Sequence, residues 1–199
     1  MNKTKTAIFE AAIKVFSSYG YTGATMDEIV TCAGVAKGSL YYHFKNKEEL
    51  FNFIVDEGVN LILKNVDEAT KNIENPLEKI EISAKVQLKY VYENKDLIKL
   101  IISQLWGTEE RNKFIRSKIT ILLDKATGHI QEAMDKGYVE NDDAAFSSHT
   151  FMGMLFSFAL YEMLNEENYD YNHVIDKFLV LLKSGIGIKN PNNLSKNKA

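Results

Sequence analysis

The chain has 199 residues, 45% of them apolar and 26% charged, with a net charge of −3. That much apolar sequence builds a real core, which excludes wholesale disorder, and the length suits one domain or two small ones. A single cysteine, Cys32, excludes an internal disulfide framework and a Cys-rich zinc site, and only two prolines leave long helices free to form.

Met1-Asn2-Lys3-Thr4-Lys5 leads straight into an amphipathic pattern, with no apolar signal-peptide core. The longest apolar stretch, Phe151 to Tyr161, falls short of the roughly 20 residues that cross a bilayer. The expectation is a cytoplasmic protein with no membrane segment. An acidic average argues weakly against nucleic acid, whose phosphates draw cations. The distribution of charge argues the other way. Residues 1–47 hold six lysines against three acids, a local +3, which leaves −6 on the rest of the −3 chain.

Ala7/Ile8, Ala11/Ala12 and Val15/Phe16 follow i, i+3, i+4 spacing, which predicts an amphipathic helix closed by Gly20 in a left-handed C-cap. Thr25-Met26-Asp27-Glu28 is a capping box, with the Thr25 hydroxyl accepting from the Glu28 N–H and the Glu28 carboxylate reaching back. It opens a short helix with Ile29, Val30 and Ala33 as its apolar face and Cys32 also on it, expected to pack there, and Gly34 ends it. A second short helix begins at Ala36-Lys37-Gly38, because Leu40, Tyr41 and Phe44 resume helical spacing. Two short helices joined by a tight Gly-containing turn make a helix-turn-helix. Asn46, with Glu49 three residues on, caps a long helix through Leu50, Phe53, Ile54, Leu61, Ile62 and Val66.

Pro76 suits the first turn of the next helix, which runs through Ile80, Ile82, Val86, Leu88 and Val91. A break at Asn94-Lys95-Asp96 precedes a short apolar helix, Leu97 to Trp106, stopped by Gly107-Thr108. Phe114, Ile115, Ile119, Leu122, Leu123, Ala126 and Ile130 mark another, ending near Gly137. Asn141-Asp142-Asp143 caps a helix to about Asn165, and the last spans Tyr169 to Ser184 before Gly185-Ile186-Gly187. The expected fold class is all-α, about nine helices without a strand. A three-helix N-terminal domain covers 1–47, a helical body 48–188, and a polar tail without expected order 189–199.

Catalysis finds no support. His43, His129, His149 and His173 are scattered, without H-E-x-x-H spacing, and there is no G-x-S-x-G or Gly-rich phosphate loop. No enzyme activity, metal or cofactor is expected.

Gly20-Tyr21, Thr25-x-x-Glu28-Ile29-Val30, Ala33-Gly34-Val35 and Lys37-Gly38-Ser39-Leu40-Tyr41-Tyr42-His43-Phe44-x-x-Lys47-Glu48-x-Leu50 follow one another with the spacing of a known family. The stretch resembles the DNA-binding domain of TetR-family transcriptional regulators. That resemblance implies an all-helical homodimeric repressor whose operator affinity a small molecule controls. The alternative is a helix-turn-helix regulator controlled by a protein partner or by no small-molecule effector.

Each matching residue also has a reading of its own. Gly38 costs about 1 kcal/mol inside a helix, so it serves either close packing on the preceding helix or close approach to DNA. Lys37 opens the recognition helix, where side chains reach base edges or phosphates, and its bland reading is a solvated lysine. Leu40 and Phe44 form the core face, which leaves Tyr41, Tyr42 and His43 fanned across the surface for phosphates and thymine methyls. Tyr41 has partial core packing as its alternative, and His43 the capping of a helix C-terminus. Ser39 is placed to read bases. Lys47 sits at a helix N-terminus, where a cation is disfavoured unless an anion such as phosphate binds there. Thr25 faces phosphate, or serves the capping box alone.

Further on, the helices over Asp142–Asn165 and Tyr169–Ser184 are apolar on nearly every face, so they are expected to be covered on two sides. Phe151, Leu155, Phe158, Val174, Phe178 and Leu181 are the candidate residues of an isologous four-helix dimer interface, with Gly153 and Ser157 allowing close approach. The plain alternative is one large core. A dimer matches half-sites about 34–36 Å apart on a palindrome. Tyr90, Tyr92, Trp106, Phe114, His129 and Met134, with Tyr138, are the candidate lining of an aromatic pocket for a small apolar or cationic ligand.

Overall fold

The computed structural model describes residues 2–140, 142–165 and 170–185. The tail at 189–199, the Asn141 cap, Tyr169 and the stop at Ile186-Gly187 lie outside the described residues. Nine helices carry the described residues: α1 (Lys3–Gly23), α2 (Met26–Ala33), α3 (Lys37–His43), α4 (Lys47–Thr70), α5 (Pro76–Glu93), α6 (Lys95–Ser103), α7 (Glu110–Asp135), α8 (Ala144–Leu164) and α9 (Tyr171–Gly185). The fold is all-α, as expected. The described residues group into two compact units, one within 1–61 and 94–120, the other within 62–93 and 121–185. Helices α4 and α7 each contribute residues to both.

In the first unit, α1 packs along α2 and α6 through Ile8, Ala11, Ala12, Val15 and Phe16, all buried. These are the residues of the i, i+3, i+4 pattern. Gly20 breaks the helix with φ +70°, and Ala24 N–H bonds back to the Gly20 carbonyl at 3.1 Å. Phe16 stacks on Tyr21 at 5.7 Å, and Phe51 meets Tyr21 edge-on at 5.0 Å. Cys32 is exposed, not packed as expected, because α2 fully buries only Ile29 and Cys32 lies with Thr31 on the open side of its last turn, where Val30 and Ala33 are half-buried.

Helix α6 stops at Ser103, one turn before the expected Trp106. The reason is a side chain from α7. Asn112 is buried, donates from Nδ2 to the Gln104 carbonyl at 2.7 Å, and accepts the Glu109 N–H at 3.0 Å. Arg116 donates to the Leu105 and Gly107 carbonyls at 3.0 and 3.1 Å. Side chains thus satisfy the Glu109 N–H and the Gln104, Leu105 and Gly107 carbonyls, backbone groups that the end of the helix leaves without a helical partner.

In the second unit, α5 packs on α8 and α9. Phe158 of α8 meets Phe178 of α9 edge-on at 6.3 Å. Ser148 has no exposed surface, and its hydroxyl accepts from Thr127 at 2.8 Å and donates to the Ala145 carbonyl at 2.8 Å, so this buried polar group is paired. The Lys79 ammonium on α5 reaches both oxygens of Glu132 on α7, at 3.0 and 2.9 Å.

Candidate functional site

The helix-turn-helix is assembled by local chemistry. Thr25 Oγ1 accepts the Glu28 N–H at 3.2 Å while Glu28 Oε2 takes the Thr25 N–H at 2.8 Å, the full capping box. Gly34 closes α2 at φ +64°, the left-handed region that favours glycine. Leu40 and Phe44 are buried, so α3 is held by one face and presents the other. That free face carries Lys37, Gly38 and Tyr41, with Tyr42 84% exposed, and Ser39 and His43 at its half-buried margins.

Gly38 has open space around it. A Cβ there would meet no atom within 4 Å, so packing on the preceding helix does not explain the glycine. Lys37 pairs with Asp27 of α2 at 2.7 Å, which raises its pKa, and lies 6.0 Å over the Tyr41 ring. Thr25 is exposed at the start of α2, its hydroxyl taken by Glu28.

Lys47 is held by protein instead of standing free at the start of α4. Its ammonium donates to the carbonyls of Tyr21, Thr22 and Ala24 at 2.7, 3.2 and 2.9 Å. The residue disfavoured at one helix N-terminus is favoured at the end of another, where unpaired carbonyls collect. Lys47 also lies 4.7 Å over Tyr21, and the Arg111 guanidinium 4.4 Å over the same ring. Tyr21 and Arg111 carry no local sequence signal for this arrangement.

The second unit holds a narrow cavity of about 20 Å³, room for a water or so. Ile62, Leu63, Val66, Ile80, Leu122 and Ile130 give it an aliphatic wall, with Phe151 supplying a phenyl ring. Ser83, Gln87, Lys125 and His129 supply the polar part. His129 Nδ1 lies 3.2 Å from the Ser83 hydroxyl. Burial, then the Lys125 and Lys79 ammonium groups, push the His129 pKa below its ordinary 6.5.

Of the expected pocket residues, only His129 lines this cavity. Tyr90 and Met134 are buried elsewhere in the unit's core, and burial raises the Tyr90 pKa to about 12. Tyr92 is exposed, Phe114 half-buried in the first unit, Tyr138 half-buried, and Trp106 77% exposed. Aromatic residues do not mark this cavity: four helices contribute one or a few aliphatic side chains each, a fifth contributes Phe151, and no helix carries the signal alone.

The expected interface residues divide as well. Phe151, Leu155, Phe158 and Phe178 are buried within the protomer, Val174 is half-buried, and Leu181 is exposed. The open stripe of α8 runs through Phe146, Gly153, Ser157, Leu160, Tyr161 and Leu164, and α9 exposes Val180 and Leu181. A helix apolar all round does not tell which face its own core takes.

The family model for bacterial regulatory proteins of the tetR family matches residues 8–54, the span from α1 into α4. An uncharacterized HTH-type transcriptional regulator of Bacillus subtilis, YhgD, is 32% identical over 127 residues, covering 58% of this chain and 66%, just under two thirds, of that one. A candidate fatty acid metabolism regulator of Clostridium perfringens is 39% identical, with a TM-score of 0.85 over 92% of this chain and 100% of that chain. Bacillus subtilis FadR, solved in complex with stearoyl-CoA, shares the fold at 24% identity, with a TM-score of 0.80 over 91% of this chain and 98% of that chain.

Proposed function

Because the chain belongs to the TetR family of bacterial regulatory proteins, and so is a DNA-binding regulator of transcription, we propose that it is a homodimeric repressor released from its operator by an acyl compound. The free face of α3 is the reading surface. Lys37, Ser39, Tyr41, Tyr42 and His43 meet base edges and phosphates in the major groove, and Gly38 lets the helix come close. Thr25 faces the flanking phosphate. Lys47 acts beneath them, fixing the end of α1.

Dimerisation uses the open stripes of α8 and α9. Phe146, Leu160, Tyr161, Leu164, Val180 and Leu181 supply the apolar surface, and Gly153 and Ser157 allow a second helix close.

The cavity of the second unit carries the effector reading. Its wall is mostly aliphatic and its polar groups come from α5 (Ser83, Gln87) and α7 (Lys125, His129), with Ser83 and His129 3.2 Å apart, which suits an apolar chain with a polar terminus. A cationic effector is disfavoured by Lys125 in the wall. The Clostridium relative's name and the stearoyl-CoA held by the Bacillus fold relative point to the same class of ligand. No acyl chain fits 20 Å³, so binding must open the cavity, and a state that prefers the ligand is thereby drawn from the population. That small volume is also what favours the second reading, a regulator with a protein partner or no small-molecule effector.

The test is selection of operator fragments from genomic DNA by the purified protein, followed by a gel shift with acyl-CoAs of graded chain length. Release by at least one acyl-CoA supports the effector reading. Binding that no acyl compound alters supports the second one.

A further inference from the structure

Next to the cavity lies a surface groove of about 400 Å³ lined by Asp67, Glu68, Thr70, Lys71, Lys79, Lys125, His129 and Glu132. Lys125 and His129 line both spaces, so they stand at the junction of the two. The charges are sorted between them. The groove holds carboxylates and ammonium groups together, whereas the cavity wall holds Lys125 and no carboxylate. Lys125 in turn is ion-paired with Asp67 of α4.

We infer that Lys125 recognises the carbonyl or carboxylate of the effector at this junction, and does so by exchanging Asp67 for it. The inference rests on the reading of the cavity as the effector site and names the residue that reads the ligand there. An apolar chain fills the aliphatic part, where a polar group would find no partner. Its oxygen-bearing end therefore stops at the donors: Lys125 Nζ, with the Ser83 and His129 pair alongside.

Asp67 is the partner that yields. Its side chain is 58% exposed against 37% for Lys125, so it returns to water at little cost. Lys79 is the less available cation, because Glu132 holds it with both oxygens. The ligand's acceptor gains a charge-assisted hydrogen bond in a drier place than the one Asp67 offers. A free fatty acid and an acyl thioester share this chemistry, the first through its carboxylate and the second through its carbonyl.

The experiment is calorimetric titration of the purified full-length protein with octanoate, octanoyl-CoA and free CoA, and with butyryl- to palmitoyl-CoA to find the preferred chain. Lys125→Gln is expected to weaken binding about tenfold, the size of one hydrogen bond to a charged group. Lys125→Arg keeps it within a few-fold. Asp67→Asn is expected to tighten binding several-fold, because it removes the competitor. Tighter binding of octanoate identifies the carboxylate as the recognised group, preference for the ester identifies the thioester carbonyl, and equal affinity identifies the C=O acceptor that the two share. The inference is overturned if Asp67→Asn weakens binding or leaves it unchanged, or if free CoA binds as tightly as its ester. If neither acyl form of any length binds the wild-type protein, the effector reading itself falls and this one with it. Melting curves of each variant confirm that it folds.

Discussion

The side chain of Asn112 fills the space that a Cβ at Gly107 would need: that Cβ would stand 2.5 Å from Asn112 Oδ1, at a backbone φ of +143°. The two residues together lock the loop between α6 and α7. Gly107→Ala both strains the backbone and displaces Asn112 from the Gln104 carbonyl and Glu109 N–H, so a loss of about 2–4 kcal/mol is expected. Asn112→Ala leaves those two groups unpaired and is expected to cost about 1–3 kcal/mol. Urea unfolding curves check both, and a midpoint unchanged in either variant contradicts the lock.

Gly38→Ala separates folding from binding. Open space surrounds the position, so alanine is expected to stabilise the short α3 by up to about 1 kcal/mol. The same methyl stands between the helix and the groove, so operator affinity is expected to fall. A melting temperature that rises while a gel shift weakens is the signature. Unchanged DNA affinity removes the close-approach role of Gly38.

Tyr42 and Lys47 act differently and their variants show it. Tyr42→Ala removes an exposed ring, so it is expected to weaken operator binding with no loss of stability. Lys47→Ala unpairs three carbonyls at the end of α1, so its loss of DNA binding comes with a lower melting temperature, about 1–3 kcal/mol. Equal melting temperatures for the two variants contradict this division.

Leu164→Glu and Leu181→Glu place charges on side chains that are 79% and 63% exposed in the protomer. Folding of the protomer is therefore expected to survive, while a dimer built on the proposed α8 and α9 stripes is expected to dissociate, because the charge would be buried between copies. Sedimentation velocity reads the outcome directly. Phe158→Ala, by contrast, is expected to cost about 3–5 kcal/mol of protomer stability through a core cavity.

His129 makes stability depend on pH in a defined window. Its pKa is lowered by burial, then by Lys125 and Lys79, with Glu132 and Asp67 opposing. On acidification the unfolded chain takes up this proton first, near 6.5, so stability is complete above that value and falls as pH drops through the lower folded value. Glu132 does not confuse the measurement. Lys136 and Lys79 hold its carboxyl at about 2, so its contribution declines only below the ordinary 4.5. Urea midpoints between pH 5.5 and 7.5 are expected to fall on the acid side, and His129→Gln to flatten that slope.

What was legible in the sequence was local. The capping box, Gly34 and the burial of Leu40 and Phe44 are each settled within a few residues, so the helix-turn-helix and its free face follow from the chain itself. Lys47 shows where that stops. Its position at a helix N-terminus was plain, but the carbonyls that hold it lie more than twenty residues earlier in sequence. The cavity was illegible for the same reason: Ile62, Ser83, Lys125 and Phe151 belong to four helices, and no period joins them. Helix α8 failed differently, since its apolar residues cover every side and Phe151 and Leu160 look alike until one is seen inside.

Trp106 is the only tryptophan in the chain, and it stands in water on the loop locked by Asn112. The intrinsic indole fluorescence of this protein therefore reports on one place. Long-wavelength emission and ready quenching by iodide are its resting signature. When operator or acyl compound is added, a blue shift or a loss of quenching comes from the neighbourhood of the α6–α7 loop alone, so the molecule carries its own optical probe without a label.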